Sequence, residues 1–409
     1  LFLRSRSQNG ELTAQTTKPT SIPIVEKVSP TPTIEEKVTP TPTIQPDQPE
    51  DDRPEPTSTP VIVLPDATSP PDPTPVPTPT ATPINPKEEL IVKLENLAGQ
   101  LAISPDDQQI VFSQISPDGS QSQIWKINLT DKQLTMLSDS GLLAEWSPDG
   151  QKIVFQRRYW DDPKSTEIKV EINIVNQDGK DKKTLLNRNQ SGVLDYYWSA
   201  PDKVDVISPN GVEEIDLTGR AARRVNLTLP TRAESGSLPP DTDGSSGKFI
   251  VFDEGRQLQV VQYNGQRTPI ANPQGHIISN FNVSPDQQQI AYVVAIDGPV
   301  GSLWVTDLSG TNQREFYELP KGGSITTPRW SPDGKSLVIG HRPTGTYYGE
   351  AYELTLVNVD NGQSTDLDVD QVGDFIWSHD GQWLYYIRSV LIEPPQKYDV
   401  ALYRLRMGS

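Results

Sequence analysis

One turn, repeated at long and regular intervals, limits what this chain can fold into more than any other feature. Ile103-Ser104-Pro105-Asp106-Asp107 returns as Trp146-Ser147-Pro148-Asp149-Gly150, Val283-Ser284-Pro285-Asp286-Gln287, Trp330-Ser331-Pro332-Asp333-Gly334 and Trp377-Ser378-His379-Asp380-Gly381. Two looser copies, Trp198-Ser199-Ala200-Pro201-Asp202-Lys203 and Asp243-Gly244-Ser245-Ser246-Gly247-Lys248, fill the gap between the second and third. The residue types dictate a bend. Proline presets φ at the first corner, aspartate caps the amides that follow, and glycine takes the left-handed position. After the turns come apolar runs that read as strands: Ile110-Val111-Phe112, Ile153-Val154-Phe155, Phe249-Ile250-Val251-Phe252, Ile290-Ala291-Tyr292-Val293, Leu337-Val338-Ile339 and Leu384-Tyr385-Tyr386-Ile387.

A third run with apolar alternation follows, as in Ile124-Trp125-Lys126-Ile127-Asn128-Leu129, Ile172-Asn173-Ile174-Val175, Leu303-Trp304-Val305-Thr306-Asp307-Leu308 and Leu354-Thr355-Leu356-Val357-Asn358-Val359. Glycine turns at Asp178-Gly179, Asn264-Gly265, Ser309-Gly310 and Asn361-Gly362 lead on to a fourth. Four strands per unit, repeated seven times with a period of roughly 40–52 residues, predict an all-β chain. The architecture they describe is a seven-bladed β-propeller of four-stranded antiparallel blades. The recurring Trp146, Trp198, Trp330 and Trp377 are then blade-packing core. The last unit has three strands, and Glu89-Leu90-Ile91-Val92-Lys93-Leu94-Glu95 has no blade of its own. It is predicted to supply the outer strand of the seventh blade, closing the ring, although Leu, Lys and Glu also suit a short helix.

Residues 1–87 differ from the body at 88–409. They hold twenty of the 39 prolines and a repeated decapeptide, Val25-Glu26-Lys27-Val28-Ser29-Pro30-Thr31-Pro32-Thr33-Ile34 and its successor at 35–44. Proline blocks helix and sheet, and the few aromatics here bury too little apolar surface to offset ordering. A disordered, extended Pro/Thr-rich stalk is expected. It serves as a spacer, as a ligand for a groove-binding domain, or as an O-glycosylated segment. Leu1-Phe2-Leu3 before Arg4 and Arg6 reads as the tail of an apolar segment, a membrane tether upstream of Leu1.

The net charge is −18, of which about −14 falls on the body. An acidic body repels phosphate backbones, which argues against nucleic acid or anionic lipid as partner. The absence of cysteine excludes disulfides and thiolate metal sites.

The recurrence of Trp-Ser-Pro-Asp-Gly ahead of an Ile-Val-Phe strand resembles the repeat of TolB-like, WD-repeat-like propellers, over residues 88–409. The resemblance implies a propeller, a protein-binding role and an extracytoplasmic setting, periplasmic or at the cell surface. The same repeat is similar to the propeller ahead of the hydrolase domain in prolyl-oligopeptidase-like enzymes. TolB-like proteins carry a folded domain ahead of the propeller, where this chain has its stalk.

Little in the sequence points to catalysis. There is no Gly-x-Ser-x-Gly elbow, and the three histidines, His276, His341 and His379, show no ligand spacing. Asp366-Leu367-Asp368-Val369-Asp370 alternates as a calcium loop does, but lacks its glycine and its final glutamate. No metal or cofactor is expected. The non-recurring aromatics are more informative. Insertions at Gln156–Lys164, Gly340–Gly349 and Arg388–Asp399 all join second and third strands, so they emerge on one face, in blades two, six and seven of the consecutive run six, seven, one and two. They bring Arg157, Arg158, Tyr159, Trp160, Arg342, Tyr347, Tyr348 and Tyr398, residue types enriched at binding hot spots. The reading is a non-enzymatic extracytoplasmic module binding a protein or peptide partner, a monomeric propeller within an assembly. A sensor ectodomain of a longer membrane protein is one alternative. A hydrolase or lyase using carboxylates such as Glu145, Asp195 and Asp374 is the other.

Overall fold

The computed structural model describes residues 87–407, apart from 163, 194, 230–234, 239–247, 253–256, 271–276, 297–299, 320–322, 343–351 and 394–396. The expected stalk up to residue 86, most of the turn copy at 243–248, His276, Tyr347 and Tyr348 lie outside the described residues.

Among the described residues the chain is all-β, with a single 3-10 turn at Gln190–Gly192 and no α-helix. Its strands form seven antiparallel sheets, numbered here I to VII in chain order, an arrangement consistent with a propeller. Sheet I runs Ala98–Ile103, Gln109–Ile115, Ser122–Asn128, Leu134–Ser138, and each strand pairs with the one before it. Sheets II to V repeat the order, starting at Leu142, Asp195, Ser235 and Ile277. In sheet VI the first strand is broken into Ser324–Ile325 and Arg329–Trp330, both paired with Ser336–Arg342. Sheet VII contains Val372–Trp377, Trp383–Glu393 and Lys397–Arg406, and its fourth strand is Glu88–Leu94 from the other end of the body. The segment is therefore strand, not helix, and it pairs with Val400–Leu405.

The corner residues behave as their chemistry requires, with one addition. In the second copy the Gly150 amide donates to the Ser147 carbonyl at 2.8 Å and Gly150 has φ +69°. Asp107 and Gln287 hold the same left-handed position without being glycine. The addition is serine. Ser147 is fully buried, and its hydroxyl donates to Asp149 Oδ1 at 2.6 Å while accepting the Lys152 amide at 2.9 Å. Ser104, Ser284, Ser331 and Ser378 make the same pair of bonds. Ser116-Pro117-Asp118-Gly119, passed over in the sequence, builds an identical corner between the second and third strands of sheet I. The motif specifies a hairpin corner; its long period marks the sheets.

The apolar triplets follow from burial on both faces. Ile110 and Phe112 enter a core shared by sheets VII and I, while Val111 enters one shared by I and II. Leu337 and Ile339 face sheet V, and Val338 faces VII. Alternate residues point to opposite faces, so a strand packed between two sheets must be apolar throughout. Seven such cores occur, each between sheets that follow one another, and one of them joins VII to I.

The tryptophans add a directional link. Trp146 Nε1 donates to the Ala102 carbonyl of sheet I at 3.1 Å. Trp198, Trp330 and Trp377 donate likewise to Glu145, Asn282 and Arg329, each on the sheet before. Between VII and I, where Ile103 cannot donate, other groups take over. The Leu101 amide donates to Asp374 Oδ2 at 2.8 Å, and the His379 and Asp380 amides donate to the Asp107 carboxylate at 2.8 and 3.1 Å. His379 is an exposed turn residue as expected, yet its ring Nδ1 also lies 2.7 Å from Asp107 Oδ1.

Two segments read as insertions are strand instead. Gln156–Tyr159 pairs with Lys169–Ile172, and Arg388–Glu393 pairs with Lys397–Ala401. Cross-strand pairs such as Arg157–Glu171, 3.3 Å apart, extend these hairpins beyond the core.

The serine hydroxyl holds the carboxyls of Asp149, Asp286, Asp333 and Asp380 below the ordinary value of 3.8. Folded-state values depressed in this way stabilise above the unfolded value, and that stability is lost as pH falls through the folded ones. Urea unfolding followed between about pH 5 and pH 2 should show this decline. Replacing Ser147, Ser284, Ser331 and Ser378 together by alanine should flatten it; an unchanged slope would show that the serines do not set these titrations.

Candidate functional site

In sheets I, II, V, VI and VII the recurrent corner joins first to second strand at one end, so second-to-third connections and first-strand starts share the other. We call this the hairpin end. Six large apolar side chains are exposed among the described residues, and four sit there. Trp160 (55% exposed) follows the second strand of sheet II, and Ile277 (53%) opens sheet V. Leu391 (45%) and Ile392 (53%) close the second strand of sheet VII. Burying such groups against a partner gains about 25 cal/mol per Å² of apolar surface removed from water.

The structure divides the residues singled out from sequence. Arg158 and Trp160 are exposed side by side where the sheet II hairpin leaves its strands. Arg157 is engaged locally, paired with Glu171 and lying 4.7 Å over the Tyr159 ring, and the Tyr159 hydroxyl accepts the Asn187 amide at 2.7 Å. Tyr398 is half-buried and packs on the core between sheets VII and I. Arg342 ends the second strand of sheet VI, with its guanidinium 4.8 Å over the Tyr352 ring. Sequence reasoning missed Ile277, Leu391 and Ile392, because an aliphatic run has the same signature whether a neighbouring sheet covers it or not.

Two of the candidate catalytic carboxylates accept backbone amides. Asp374 is 9% exposed, accepts the Leu101 and Phe375 amides at 2.8 and 2.9 Å, and lies 3.8 Å from Arg329. Asp195 accepts the Tyr196 amide at 2.9 Å. Glu145 contributes its carbonyl to Trp198. Leu367 and Val369 turn inward while Asp366 and Asp368 face solvent, in a segment that leaves its strand after Asp366 and bends at Asp368, φ +52°. No group of three or more His, Cys, Asp or Glu placed to hold a metal ion occurs among the described residues. No helix among them is long and apolar enough to cross a membrane.

The most enclosed carboxylate was not singled out from sequence. Asp205 is 2% exposed. It accepts the Tyr263 hydroxyl at 2.7 Å, the Tyr197 hydroxyl at 3.1 Å and the Ser199 hydroxyl at 2.8 Å. Tyr263 follows a strand of sheet IV, so the cluster ties III to IV. Burial, then the neighbouring phenol, holds Tyr197 well above the usual phenol value of 10, and burial, then the Asp205 charge, raises Tyr263.

No family model matches the chain. The uncharacterized peptidase YuxL of Bacillus subtilis (strain 168) is 24% identical over 136 residues, covering 25% of this chain and 20% of that protein. The chain thus matches about a fifth of its curated relative's length. Among solved structures, a chain of the mitotic checkpoint complex is 14% identical with a TM-score of 0.50, covering 82% of this chain and 98% of that one. TolB from Acinetobacter baumannii is 16% identical with a TM-score of 0.39, covering 67% and 55%. At such identities the likeness is one of fold.

A phenol raised on folding stabilises fully below its unfolded value and loses that contribution as pH rises through the folded one. Native stability should therefore fall above about pH 10. Tyr263→Phe, which removes a hydrogen bond to a buried charge, should cost about 1.5–3 kcal/mol at neutral pH and leave a shallower alkaline decline. Denaturant unfolding at both pH values checks this, and an unaltered free energy would remove the cluster from the account of stability.

Proposed function

We propose that the seven sheets are the blades of one closed propeller ring, and that its hairpin end binds a protein or peptide partner without catalysis. The observation that carries the binding reading is the gathering of Trp160, Ile277, Leu391 and Ile392 at that end, exposed beside Arg158. Aromatic and arginine anchors among aliphatic surface are the composition of binding hot spots. Closure is supported by the core, amide and carboxylate links between sheets VII and I and by the placement of Glu88–Leu94. A non-catalytic role is supported by Asp374 and Asp195, whose oxygens accept backbone amides. The Pro/Thr-rich segment at 1–87 fits a stalk that stands the ring off a surface outside the cytoplasm.

A second reading, participation in peptide hydrolysis, is favoured by the partial match to YuxL. Peptide turnover by the purified chain that is abolished by Asp374→Asn or Asp195→Asn would select it over the first.

Two experiments test the binding ring. A photo-crosslinking residue at position 160 or 392 should give a discrete partner adduct in the native cell, and one at Met136, exposed on the outer strand of sheet I, should not. Adducts of equal yield at all three positions, or at none, would reject the hairpin end as the binding face. Deleting residues 1–94 should lower the melting temperature of the whole body in one cooperative transition, because the core between VII and I loses Ile91 and Leu94. A melting curve that keeps its midpoint would mean that the strand does not fasten a ring.

A further inference from the structure

In a chain with 54 acidic and 36 basic residues, an arginine without a carboxylate needs a reason. Six described arginines are half-buried: Arg157, Arg188, Arg329, Arg342, Arg388 and Arg404. Five are ion-paired. Arg157 lies 3.3 Å from Glu171, Arg329 3.8 Å from Asp374, Arg388 2.8 Å from Glu88 and Arg404 2.6 Å from Glu89, and Arg188 pairs with Glu213. Among the described residues no carboxylate pairs with Arg342, and its Nε is buried with no hydrogen-bond partner. Leaving a buried donor unmade costs about 1–3 kcal/mol, and more on a charged group. Such a group in a native structure calls for an explanation.

The surrounding structure holds the guanidinium in place. Its face lies over the Tyr352 ring, which attracts the cation. Tyr352 is fixed in turn by a pair of backbone bonds to Val372 of sheet VII, at 3.1 and 3.0 Å. Two glycines allow the close approach. A Cβ on Gly340 would stand 3.1 Å from Tyr352 Cβ, and one on Gly323 would stand 2.8 Å from the Arg342 carbonyl oxygen. Arg342 is the last residue of its strand and so belongs to the hairpin end, with Leu391 and Ile392 on the next sheet.

We propose that Arg342 is a recognition point for one carboxylate of the partner, an inference that rests on the hairpin end being the binding face. A guanidinium stacked on an aromatic ring keeps its N–H edge for a planar acceptor, and with Nε enclosed the two terminal Nη groups are the edge that a carboxylate matches with two parallel hydrogen bonds. A monoanion also suits the surroundings. The acidic body opposes a dianionic phosphate about twice as strongly as a carboxylate.

The test is an NMR titration of the body labelled with nitrogen-15 arginine, the Arg342 Nε–Hε resonance being assigned by its loss in Arg342→Lys. N-acetylglutamate N-methylamide should shift that resonance saturably, the glutamine counterpart should leave it unmoved, and methyl phosphate should bind more weakly. Tyr352→Leu, checked for native fold by circular dichroism, should weaken the glutamate response at least several-fold. A resonance that ignores glutamate, or answers glutamine or phosphate as strongly, overturns the proposal. If that happens while crosslinking at Trp160 and Ile392 persists, carboxylate recognition is wrong and the binding face stands. Loss of those crosslinks beside a normal titration rejects the face and keeps the carboxylate site.

Discussion

A buried serine hydroxyl that donates to an aspartate while accepting an amide five residues on is the interaction on which the rest is built. It closes the corner between first and second strands in five sheets and turns a flexible Pro-Asp bend into one conformation. The hydroxyl is buried, and both of its hydrogen-bonding roles are filled, so it can lie beneath the corner without a desolvation penalty. With the corner set, the residue before it is placed at the end of its sheet. From there Trp146, Trp330 and Trp377 reach the carbonyl of the preceding sheet, as Trp198 does without that corner. One local bond thus sets the spacing between neighbours, and the two-faced apolar strands fill the space between.

The junction of sheets VII and I is built differently. Polar and charged groups do there what indoles do at four other junctions: Asp374 takes an amide of sheet I and Asp107 takes two of sheet VII, while within sheet VII Glu88 and Glu89 pair with Arg388 and Arg404. At two other junctions turn proline lies beside turn glycine, Pro105 by Gly150 and Pro332 by Gly381. Here His379 stands at the proline position and Asp107 at the glycine position. Charged pairs are directional and discriminate between partners better than apolar contact does, which suits a junction formed by residues about three hundred positions apart in the chain.

The same division explains the candidate face. Carboxylates outnumber cations, and the half-buried arginines away from Arg342 are paired with them. The proposed binding surface rests on an acidic body that presents at one end a few aliphatic side chains, an exposed tryptophan and a stacked guanidinium with no carboxylate partner among the described residues. Of the carboxylates proposed for catalysis, those of Asp374 and Asp195 accept backbone amides.

Much of the fold was legible because it is periodic. Corner, triplet and glycine turn recur at fixed offsets, and their residue types each have a local cause, so the strands around 110, 153, 290, 337 and 384 and the outer strand at 88–94 could be read before any coordinates. The candidate face was legible only where it departed from the period, as at Arg158, Trp160 and Arg342. Exposure was not. Tyr398 and Leu391 lie opposite one another in a hairpin, yet one packs on the core and the other meets water. The sequence by itself determined the corners, the strand order and the acidic character, because these depend on neighbours along the chain. Only the tertiary structure decided which apolar residues stay uncovered, that Ser116 builds a corner at the other end, and that Arg342 has no carboxylate partner among the described residues. Those depend on which sheet lies alongside, and local sequence carries no record of it.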